Sequence, residues 1–530
     1  MVDVQADLRT WITRFATGDH DIANLLCERH AEDPRRLALR YEDADGHEEQ
    51  LTYRELADLS ARFASRLAAA GVGRGDRVAT LLPKCPELLI AAVGLWRLGA
   101  VHVPLFTAFG PDAIGFRLDD ASARVVITDA RNSGKLPEAT GADVLLIDDL
   151  REQLAGLVPW ATATTLGPDE LLILIYTSGT TGHPKGVEVP VRALASFLAY
   201  LRLGLDVRES DVHWNVGDPG WAYGLFYGLV GSLLIGQTVL YYNGPFDAET
   251  AYRFMAKYRV TNLTAAPTVY RALRAAGSPS VELRLRACSS AGEPLNPDVI
   301  AWGERALGVS IHDQYGQTEL GMVAVNPQRA DLTRVIKPGS MGPAMPGFRV
   351  MVVDAEGREL APGATGELAI DVPRSLLYWF RGYWHAPEWS ARRFIDDGKL
   401  YLTGDAASMD AEGYVFFSSR ADDVINSAGH RIGPFEIESS LIAHPAVAEA
   451  GVIGIPDELR GEVVKAFVVL KPGHARSAAL AAELGEWVKS RLSAHAYPRA
   501  VEFVDQLPKT PSGKVQRYLL RQLAVVAARP

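Results

Sequence analysis

The sequence predicts an α/β fold: a large N-terminal domain of layered α/β subdomains plus a β unit, followed by a small α+β C-terminal domain. Three observations support this. Short apolar runs alternate with helix-like segments through more than the first half of the chain, which is typical of parallel α/β layers. Near Gly339 the pattern changes to strand-like runs separated by Gly- or Asp-bearing turns. The last stretch of about a hundred residues has the size of a small independent domain.

In the first half of the chain, one helix-start signal and a series of apolar runs predict the helices and strands. Thr52 is a helix N-cap residue with Glu55 three positions later, a capping box, and this helix is predicted to end at Gly71. The following runs predict a helix over Pro86–Leu98 and strands at Arg77–Leu82, Ala100–Leu105, Val125–Thr128, Val144–Ile147, Leu171–Tyr176, Gln237–Tyr242, Asn262–Ala265, Arg284–Ser289 and Ser310–Gln314.

The second half predicts an antiparallel β unit and then the small domain. The strands of the β unit are predicted at Arg349–Asp354, Thr365–Asp371, Lys399–Thr403 and Tyr414–Ser418. The small domain is predicted to contain helices at Pro434–Ala443 and Ala478–Leu492 and strands at Glu449–Gly454 and Lys465–Leu470. We place the boundary at Asp422, which gives an N-terminal domain of residues 1–421 and a C-terminal domain of residues 422–530.

Composition and charge exclude several classes of protein. The chain of 530 residues carries a formal net charge of −10, whereas a protein that wraps nucleic acid usually has the opposite sign. No apolar run is long enough for a membrane span, and the start of the chain does not resemble a secretion signal. Three scattered cysteines, Cys27, Cys85 and Cys288, are expected to be buried thiols in a reducing compartment. We therefore expect a cytoplasmic protein without a nucleic-acid partner.

The strongest chemical signal is the glycine-rich segment Tyr176–Gly186, which follows the apolar run ending at Ile175. Glycines allow the backbone to approach a ligand closely, and successive N–H groups in such a turn form a nest for anions. The hydroxyl groups of its Ser and Thr residues add donors, and Lys185 adds a positive charge. The order of a Walker A loop is absent, so the segment is interpreted as a different kind of phosphate-binding loop.

This loop and several motifs in order resemble the adenylate-forming, or AMP-binding, superfamily, most closely its short- and medium-chain acyl-CoA synthetases. The motifs are Ser290–Pro294, Gln314–Glu319, Tyr401–Asp405, Asp422–Gly433 and Pro508–Lys514. The resemblance covers nearly the whole chain. It implies that the C-terminal domain is a mobile lid, that the active site lies between the two domains, and that ATP, Mg²⁺ and CoA are used.

The resemblance also implies roles for individual residues. Tyr315 offers its ring to adenine, Thr318 a hydroxyl to the α-phosphate, Glu319 an oxygen to Mg²⁺, and Lys514 a bridging charge during catalysis. The implied nucleotide-binding residues are Thr177, Ser178, Gly179, Thr180, Thr181, Gly182, Lys185, Gly292, Glu293, Pro294, Asp313, Gln314, Tyr315, Gly316, Gln317, Asp405 and Arg420. Asp422 matches the hinge, and Gly429, His430 and Arg431 match the CoA-binding segment.

The carboxylic-acid substrate is expected to be selected by residues outside the phosphate-binding loop. Trp221, Ala222, Tyr223 and Gly316 are expected to line the acyl pocket. Acetyl-specific members carry Trp where this chain has Gly316, which suggests a pocket for propionyl to medium-chain or small aryl acids. An enzyme that delivers amino or aryl acids to a carrier protein stays open, with Asp218 as an anchor for a substrate ammonium. A luciferase-like oxygenase and a catalytically inactive ATP-binding regulator are further alternatives. Lys514 is also an expected target of a protein acetyltransferase and deacetylase.

Overall fold

A mostly parallel sheet of six strands forms the first α/β layer. The computed structural model describes residues 3–177, 184–420, 423–427, 430–457, 460–492, 496–509 and 515–527. The sheet order is Lys185–Pro190, Leu171–Thr177, Val101–Pro104, Arg77–Leu81, Val125–Thr128 and Asp143–Leu146. Only the first pair is antiparallel. Because Lys185 pairs with Thr177, the two strands meet at the phosphate-loop motif and hold both of its ends.

A second sheet of five strands carries the next group of motifs. Its order is His213–Asn215, Asn262–Ala265, Ala287–Ala291, Ile311–Gln317 and Gly321–Val325. The last strand is antiparallel to its neighbour, and the others are parallel. Thr318 and Glu319 therefore lie in the tight connection between the last two strands, at the carboxyl end of a parallel strand, where ligand sites of α/β sheets usually lie.

The predicted antiparallel β unit is present. Its order is Ser340–Pro343, Tyr414–Arg420, Leu400–Met409, Thr365–Asp371 and Val350–Val353, with Phe394–Ile395 paired to Leu400–Met409. Two smaller sheets consist of Val239–Asn243, Leu37–Asp43 and Glu48–Thr52, and of His20–Asp21 and Thr165–Leu166.

The C-terminal part has its own sheet and its own apolar core. The sheet order is His430–Ile432, Ile425–Ser427, Gly461–Leu470 and Val447–Asp457, and Ala500–Phe503 adds a parallel strand to Gly461–Leu470. Ile425, Ile437 and Leu484 belong to an apolar cluster drawn from this part of the chain alone. The contacts with the rest include a ring contact between Phe417 and Phe435, at 6.1 Å.

The helices cover the sheets, and all four predicted helices are present. The α-helices are Val4–Ala16, Ile22–Leu26, Tyr53–Ala69, Pro86–Arg97, Pro111–Asp120, Ala130–Ser133, Leu150–Leu154, Ala193–Ala199, Gly231–Leu234, Ala248–Tyr258, Pro267–Ala276, Pro297–Ala306, Pro387–Ala391, Pro434–Ile442, Ala478–Arg491 and Arg517–Ala527. A 3₁₀ turn covers Glu28–His30, and π-helical segments cover Tyr200–Gly204 and Gly224–Val230. Among the described residues, no helix combines the length and apolar character needed to cross a bilayer.

Candidate active site

Four of the predicted nucleotide-binding residues form one hydrogen-bonded cluster around the buried carboxylate of Asp405. The Tyr315 hydroxyl donates to Asp405 Oδ2 at 2.5 Å, and Gln317 Nε2 donates to the same oxygen at 2.7 Å. Arg420 faces Asp405 across paired strands, and its Nη1 donates to Oδ1 at 2.7 Å. The cluster fixes both oxygens of a carboxylate beside an aromatic ring. Such an arrangement suits recognition of a ribose and its attached base.

Glu319 anchors a second cluster, which includes two residues that the sequence motifs did not reveal. The Tyr383 hydroxyl donates to Glu319 Oε1 at 2.7 Å, and Arg393 Nε donates to the Tyr383 oxygen at 3.1 Å. Thr318 is half-buried in the same connection. Tyr383 and Arg393 lie between the predicted motifs, so no signal in the chain marked them.

Lys185 approaches this second cluster from the phosphate-loop side. Its Nζ lies 4.0 Å from the ring centre of Trp389 and 5.7 Å from that of Tyr383. Burial lowers the pKa of Lys185 and the charge of Arg393 lowers it further, whereas Glu319 raises it. The mutual repulsion of these cations would be relieved by a polyanion placed among them.

The predicted adenine side of the site is built on Asp313 and the segment Gly292–Pro294. Asp313 is buried at the base of the strand that leads to Tyr315, and burial raises the pKa of its carboxyl to about 8. Gly292 has a φ of +100°, which favours glycine. The Glu293 carboxylate is bound by Arg271 at 2.7 Å, so in this structure its side chain is used for an ion pair within the protein.

The predicted acyl-pocket residues lie among aromatic side chains. Trp221 packs against Phe106 and Phe109, with ring centres 5.3 and 5.5 Å apart. The hydroxyl groups of Tyr223 and Tyr200 are 2.7 Å apart, and the Tyr200 hydroxyl also donates to the side-chain oxygen of Gln314. Half-buried Ala222 lies between Trp221 and Tyr223. The pocket wall is therefore mainly apolar, with a buried chain of hydroxyl and amide groups at one side.

Gly316 does not open additional space in this wall. A Cβ atom at Gly316 would lie 2.2 Å from the carbonyl oxygen of Gly321 and 2.7 Å from the sulfur of Met322. The backbone N–H of Met322 in turn donates to the hydroxyl of Tyr227, whose ring is 5.1 Å from that of Tyr223. The space that a larger residue at position 316 would use is thus filled by the backbone of Gly321 together with Met322.

Asp218, the anchor that an amino-acid substrate would need, is engaged within the protein. Its Oδ1 accepts a hydrogen bond from the backbone N–H of Gly220 at 2.7 Å. Burial raises the pKa of Asp218, and the charge of Lys84 acts in the opposite direction. Lys84 itself donates to the carbonyl of Val216 at 2.8 Å. Asp218 and Lys84 therefore hold the segment that presents Trp221.

Three of the remaining predicted site residues lie on described strands. Thr177 lies at the end of its strand, and the strand His430–Ile432 fixes the backbone of His430 and Arg431. The other predicted positions lie outside the described residues: Ser178, Gly179, Thr180, Thr181, Gly182, Asp422, Gly429 and Lys514.

Mg²⁺ is the metal that the motifs imply. Within the described ranges, no group of three or more His, Cys, Asp and Glu side chains is arranged to hold a metal ion. Mg²⁺ in phosphoryl-transfer sites is usually bound through one or two carboxylates together with substrate phosphates. The single carboxylate of Glu319, beside the cations of the predicted phosphate site, fits that pattern.

The sequence matches the family model of the AMP-binding enzymes over residues 27–384 and that of their C-terminal domain over residues 436–514. The chain belongs to the AMP-binding enzyme family. Among its relatives, the acetyl-coenzyme A synthetase of Bacillus subtilis (strain 168) is 38% identical over 531 residues, which cover 95% of this AMP-binding enzyme and 91% of the relative.

Solved structures support the same assignment. The crystal structure of an acyl-CoA synthetase from Brucella canis is 44% identical to this AMP-binding enzyme and superposes with a TM-score of 0.76, covering 98% of each chain. ATP-bound MatB from Rhodopseudomonas palustris is 30% identical, with a TM-score of 0.85, covering 97% of this chain and all (100%) of the other. The family resemblance and the α/β fold class predicted from the sequence are confirmed.

Proposed function

We propose that this AMP-binding enzyme is an ATP-dependent acyl-CoA synthetase. It activates a carboxylic acid with ATP to give an acyl-adenylate and pyrophosphate, and then transfers the acyl group to the thiol of CoA. The proposal rests on two hydrogen-bonded clusters, one around Asp405 and one around Glu319. Lys185 and Arg393 add positive charges beside them. The names of full-length relatives, an acetyl-coenzyme A synthetase and an acyl-CoA synthetase, favour CoA as the acceptor over a carrier protein.

The proposed chemistry needs no general base, because an ionised carboxylate is already a nucleophile. A carboxylate oxygen forms a bond to the α-phosphorus, and the bond from that phosphorus to the bridging oxygen breaks with its electron pair leaving on pyrophosphate. The protein must bring two anions together and stabilise the negative charge that moves to the leaving group. Asp405 and Tyr315 hold the nucleoside, and Lys185 faces the phosphates. Mg²⁺, when bound at Glu319, neutralises phosphate charge.

For the second half-reaction we propose a lid of residues 422–530 that turns about Asp422. In one orientation Lys514 reaches the reacting groups, and in the other Gly429, His430 and Arg431 line the path of CoA. Support comes from the separate apolar core of the C-terminal part. Rotation of a small domain at a few backbone dihedral angles is a common way to change the composition of a site.

For the acid we propose propionate to medium-chain acids or small aryl acids, with Met322 setting the depth of the pocket. The sulfur of Met322 occupies the space next to Gly316. We expect Met322→Gly to raise the ratio of kcat/KM for hexanoate over butyrate by about tenfold, since one or two methylene groups in an apolar pocket contribute differences of that order. Met351→Ala, in the strand Val350–Val353, is the matched control. A wild-type preference for acetate over both acids, or an unchanged ratio in Met322→Gly, would contradict this assignment.

The experiment that tests the function measures each half-reaction separately. Acid-dependent exchange of labelled pyrophosphate into ATP reports adenylation, and the appearance of acyl-CoA reports transfer. We expect both with the same acid and with free CoA. Exchange without any transfer to CoA, but with transfer to a pantetheinyl carrier protein, would favour the carrier-linked alternative. No exchange with any acid of the panel, despite ATP binding, would favour an inactive regulator.

We also propose a cytoplasmic location and control by acetylation. Support for a reducing compartment comes from Cys27, Cys85 and Cys288, all of which are free thiols. An acetyl group on Lys514 would remove the charge proposed to bridge the acid and the α-phosphate, so a protein acetyltransferase and deacetylase acting there would switch adenylation off. Mass spectrometry of the chain isolated from its own cells, before and after deacetylase treatment, tests this proposal.

A further inference from the structure

Arg393 is a half-buried arginine to which the sequence motifs assign no role. Its backbone is fixed on both sides: its N–H donates to the carbonyl of Ser390 at 3.0 Å, and its carbonyl accepts from the N–H of Leu402 at 2.7 Å. The second bond continues the pairing of Phe394–Ile395 with Leu400–Met409, the strand that contains Asp405. The β unit therefore places Arg393 at a defined position beside the nucleotide cluster.

The side chain of Arg393 is oriented by a relay. Its Nε donates to the hydroxyl oxygen of Tyr383 at 3.1 Å, and that hydroxyl donates to Glu319 Oε1 at 2.7 Å. Nη1 is at the limit of a hydrogen bond, 3.5 Å from the carbonyl of Leu402. A guanidinium has five N–H donors, so most of its donor capacity is not used by strong bonds within the described part of the chain.

Gly404 leaves room for this guanidinium and for a second one. A Cβ atom at Gly404 would lie 2.6 Å from Nη1 of Arg393 and 3.1 Å from Nη2 of Arg420, and its φ of +70° also favours glycine. Arg420 is neutralised by Asp405, 2.7 Å away. Among the ion pairs found in the described ranges, none joins Arg393 to a carboxylate.

Three cations, those of Arg393, Lys185 and Arg420, therefore surround a region that contains the Glu319 carboxylate. Within the described residues, Arg393 has no anionic partner at ion-pair distance. The charge of Arg393 is close enough to disfavour the protonated form of Lys185. A dianionic or trianionic group would satisfy both cations at once, and a guanidinium recognises phosphate oxygens in a bidentate manner.

We propose that Arg393 binds the β- and γ-phosphates of ATP and holds pyrophosphate as it leaves. This inference rests on the proposed function and adds a residue to its first half-reaction. When the bond between the α-phosphorus and the bridging oxygen breaks, the electron pair moves onto pyrophosphate, and Arg393 stabilises that charge by hydrogen bonds whose direction Tyr383 and Glu319 set. AMP has no β- or γ-phosphate, so Arg393 does not contribute to AMP binding.

The test compares AMP, ATP and pyrophosphate in Arg393→Gln, Arg393→Lys and the control Arg392→Gln. Arg392 is the adjacent exposed arginine, and its guanidinium packs on Trp389. By calorimetry, we expect Arg393→Gln to weaken the binding of ATP by about tenfold to a hundredfold, the usual contribution of hydrogen bonds to a charged group. AMP should bind within about twofold of wild type. Arg393→Lys should recover part of the loss, and Arg392→Gln should change neither ligand by more than about twofold.

Kinetics provide the second readout. In Arg393→Gln the KM for pyrophosphate in the exchange reaction should rise and its rate should fall, whereas transfer from supplied acyl-adenylate to CoA should be unchanged. Equal loss of AMP and ATP binding, equal loss of both half-reactions, or ATP binding like that of Arg392→Gln would each overturn the role of Arg393. Failure of the proposed function is recognised separately: the wild-type protein would then show no acid-dependent exchange, although the comparison of ATP and AMP binding would still apply.

Discussion

Asp313 is a single residue whose burial predicts a measurable pH dependence. Burial raises the pKa of its carboxyl to about 8, from an ordinary value of 3.8. Between about pH 4 and pH 8 the folded protein keeps a proton that the unfolded chain has lost, so the contribution of this group to stability falls as the pH rises. We expect Asp313→Asn, which mimics the neutral form, to gain stability relative to wild type by at most about 1.4 kcal/mol for each pH unit.

The measurement is the free energy of unfolding of both proteins in urea at pH 5, 6, 7 and 8. Asp211→Asn is the control, because the pKa of Asp211 is shifted in the other direction: burial opposes ionisation, but Arg286 and other hydrogen bonds lower the pKa overall. That carboxylate stays ionised over the range, so its substitution should cost a constant amount. A difference between Asp313→Asn and wild type that does not change with pH would contradict the prediction.

At the scale of single residues, some site residues could be predicted from the sequence and others could not. Tyr315, Gln317, Asp405 and Arg420 stand in recognisable motifs, and the structure brings all four together. Their contacts depend on a strand register that contains a bulge between residues 406 and 407, which local sequence does not specify. Arg393 has no motif around it, and its relay reaches Glu319 only through tertiary packing.

At the scale of elements, Arg517 connects the last helix to the rest of the proposed lid. Its guanidinium binds Glu438 in the helix Pro434–Ile442 at 2.7 Å, and it approaches Asp423 at 3.4 Å. Glu438 also accepts a hydrogen bond from the backbone N–H of Val452 at 2.8 Å. Glu438 therefore depends on one half-buried cation, whereas Asp423, next to the proposed hinge, has a second ion pair, to Arg521 at 2.5 Å.

Arg517→Gln should loosen the lid and lower adenylation. Loss of one partner of a largely buried ion pair usually costs a few kcal/mol, and we expect about 2–4 kcal/mol here. Hydrogen exchange followed by mass spectrometry should become faster in peptides from residues 423–527 and stay unchanged in the N-terminal domain. Lys489→Gln, which removes an exposed pair with Glu486, is the control and should have almost no effect. Unchanged exchange in the lid of Arg517→Gln would show that other contacts hold this helix.

Elements with local signals were predictable, and elements set by packing were not. The capping box of Thr52 and Glu55 is present at the start of Tyr53–Ala69, because all of its atoms belong to neighbouring residues. The strand predicted from Arg284 begins only at Ala287, since the Arg286 side chain turns away to pair with Asp211. The π-helical segment Gly224–Val230, which follows Tyr223 of the predicted acyl pocket, is a departure from helical periodicity that apolar composition does not reveal.

At the scale of the whole molecule, the alternation of strands and helices predicted the layers. This was possible because each layer is built from elements that are consecutive or nearly consecutive in the chain. The two α/β sheets and the antiparallel β unit are all present, and the C-terminal part has its own core. The relative placement of the parts during catalysis is a property that no local pattern encodes. It has to be tested by separating the two half-reactions.

Lys514 provides that test, since the proposed lid carries it into the site for only one half-reaction. We expect Lys514→Ala to reduce acid-dependent pyrophosphate exchange by at least about a hundredfold, as for the loss of a charge that stabilises a transition state. Transfer from supplied acyl-adenylate to CoA should stay within about twofold of wild type. Lys509→Ala is the matched control: this nearby lysine pairs with Glu449 within the lid at 2.7 Å, and its loss should leave both half-reactions unchanged. If Lys514→Ala slows both half-reactions equally, a lid with two working orientations is the wrong description, because Lys514 would then act in both steps or support the fold as a whole.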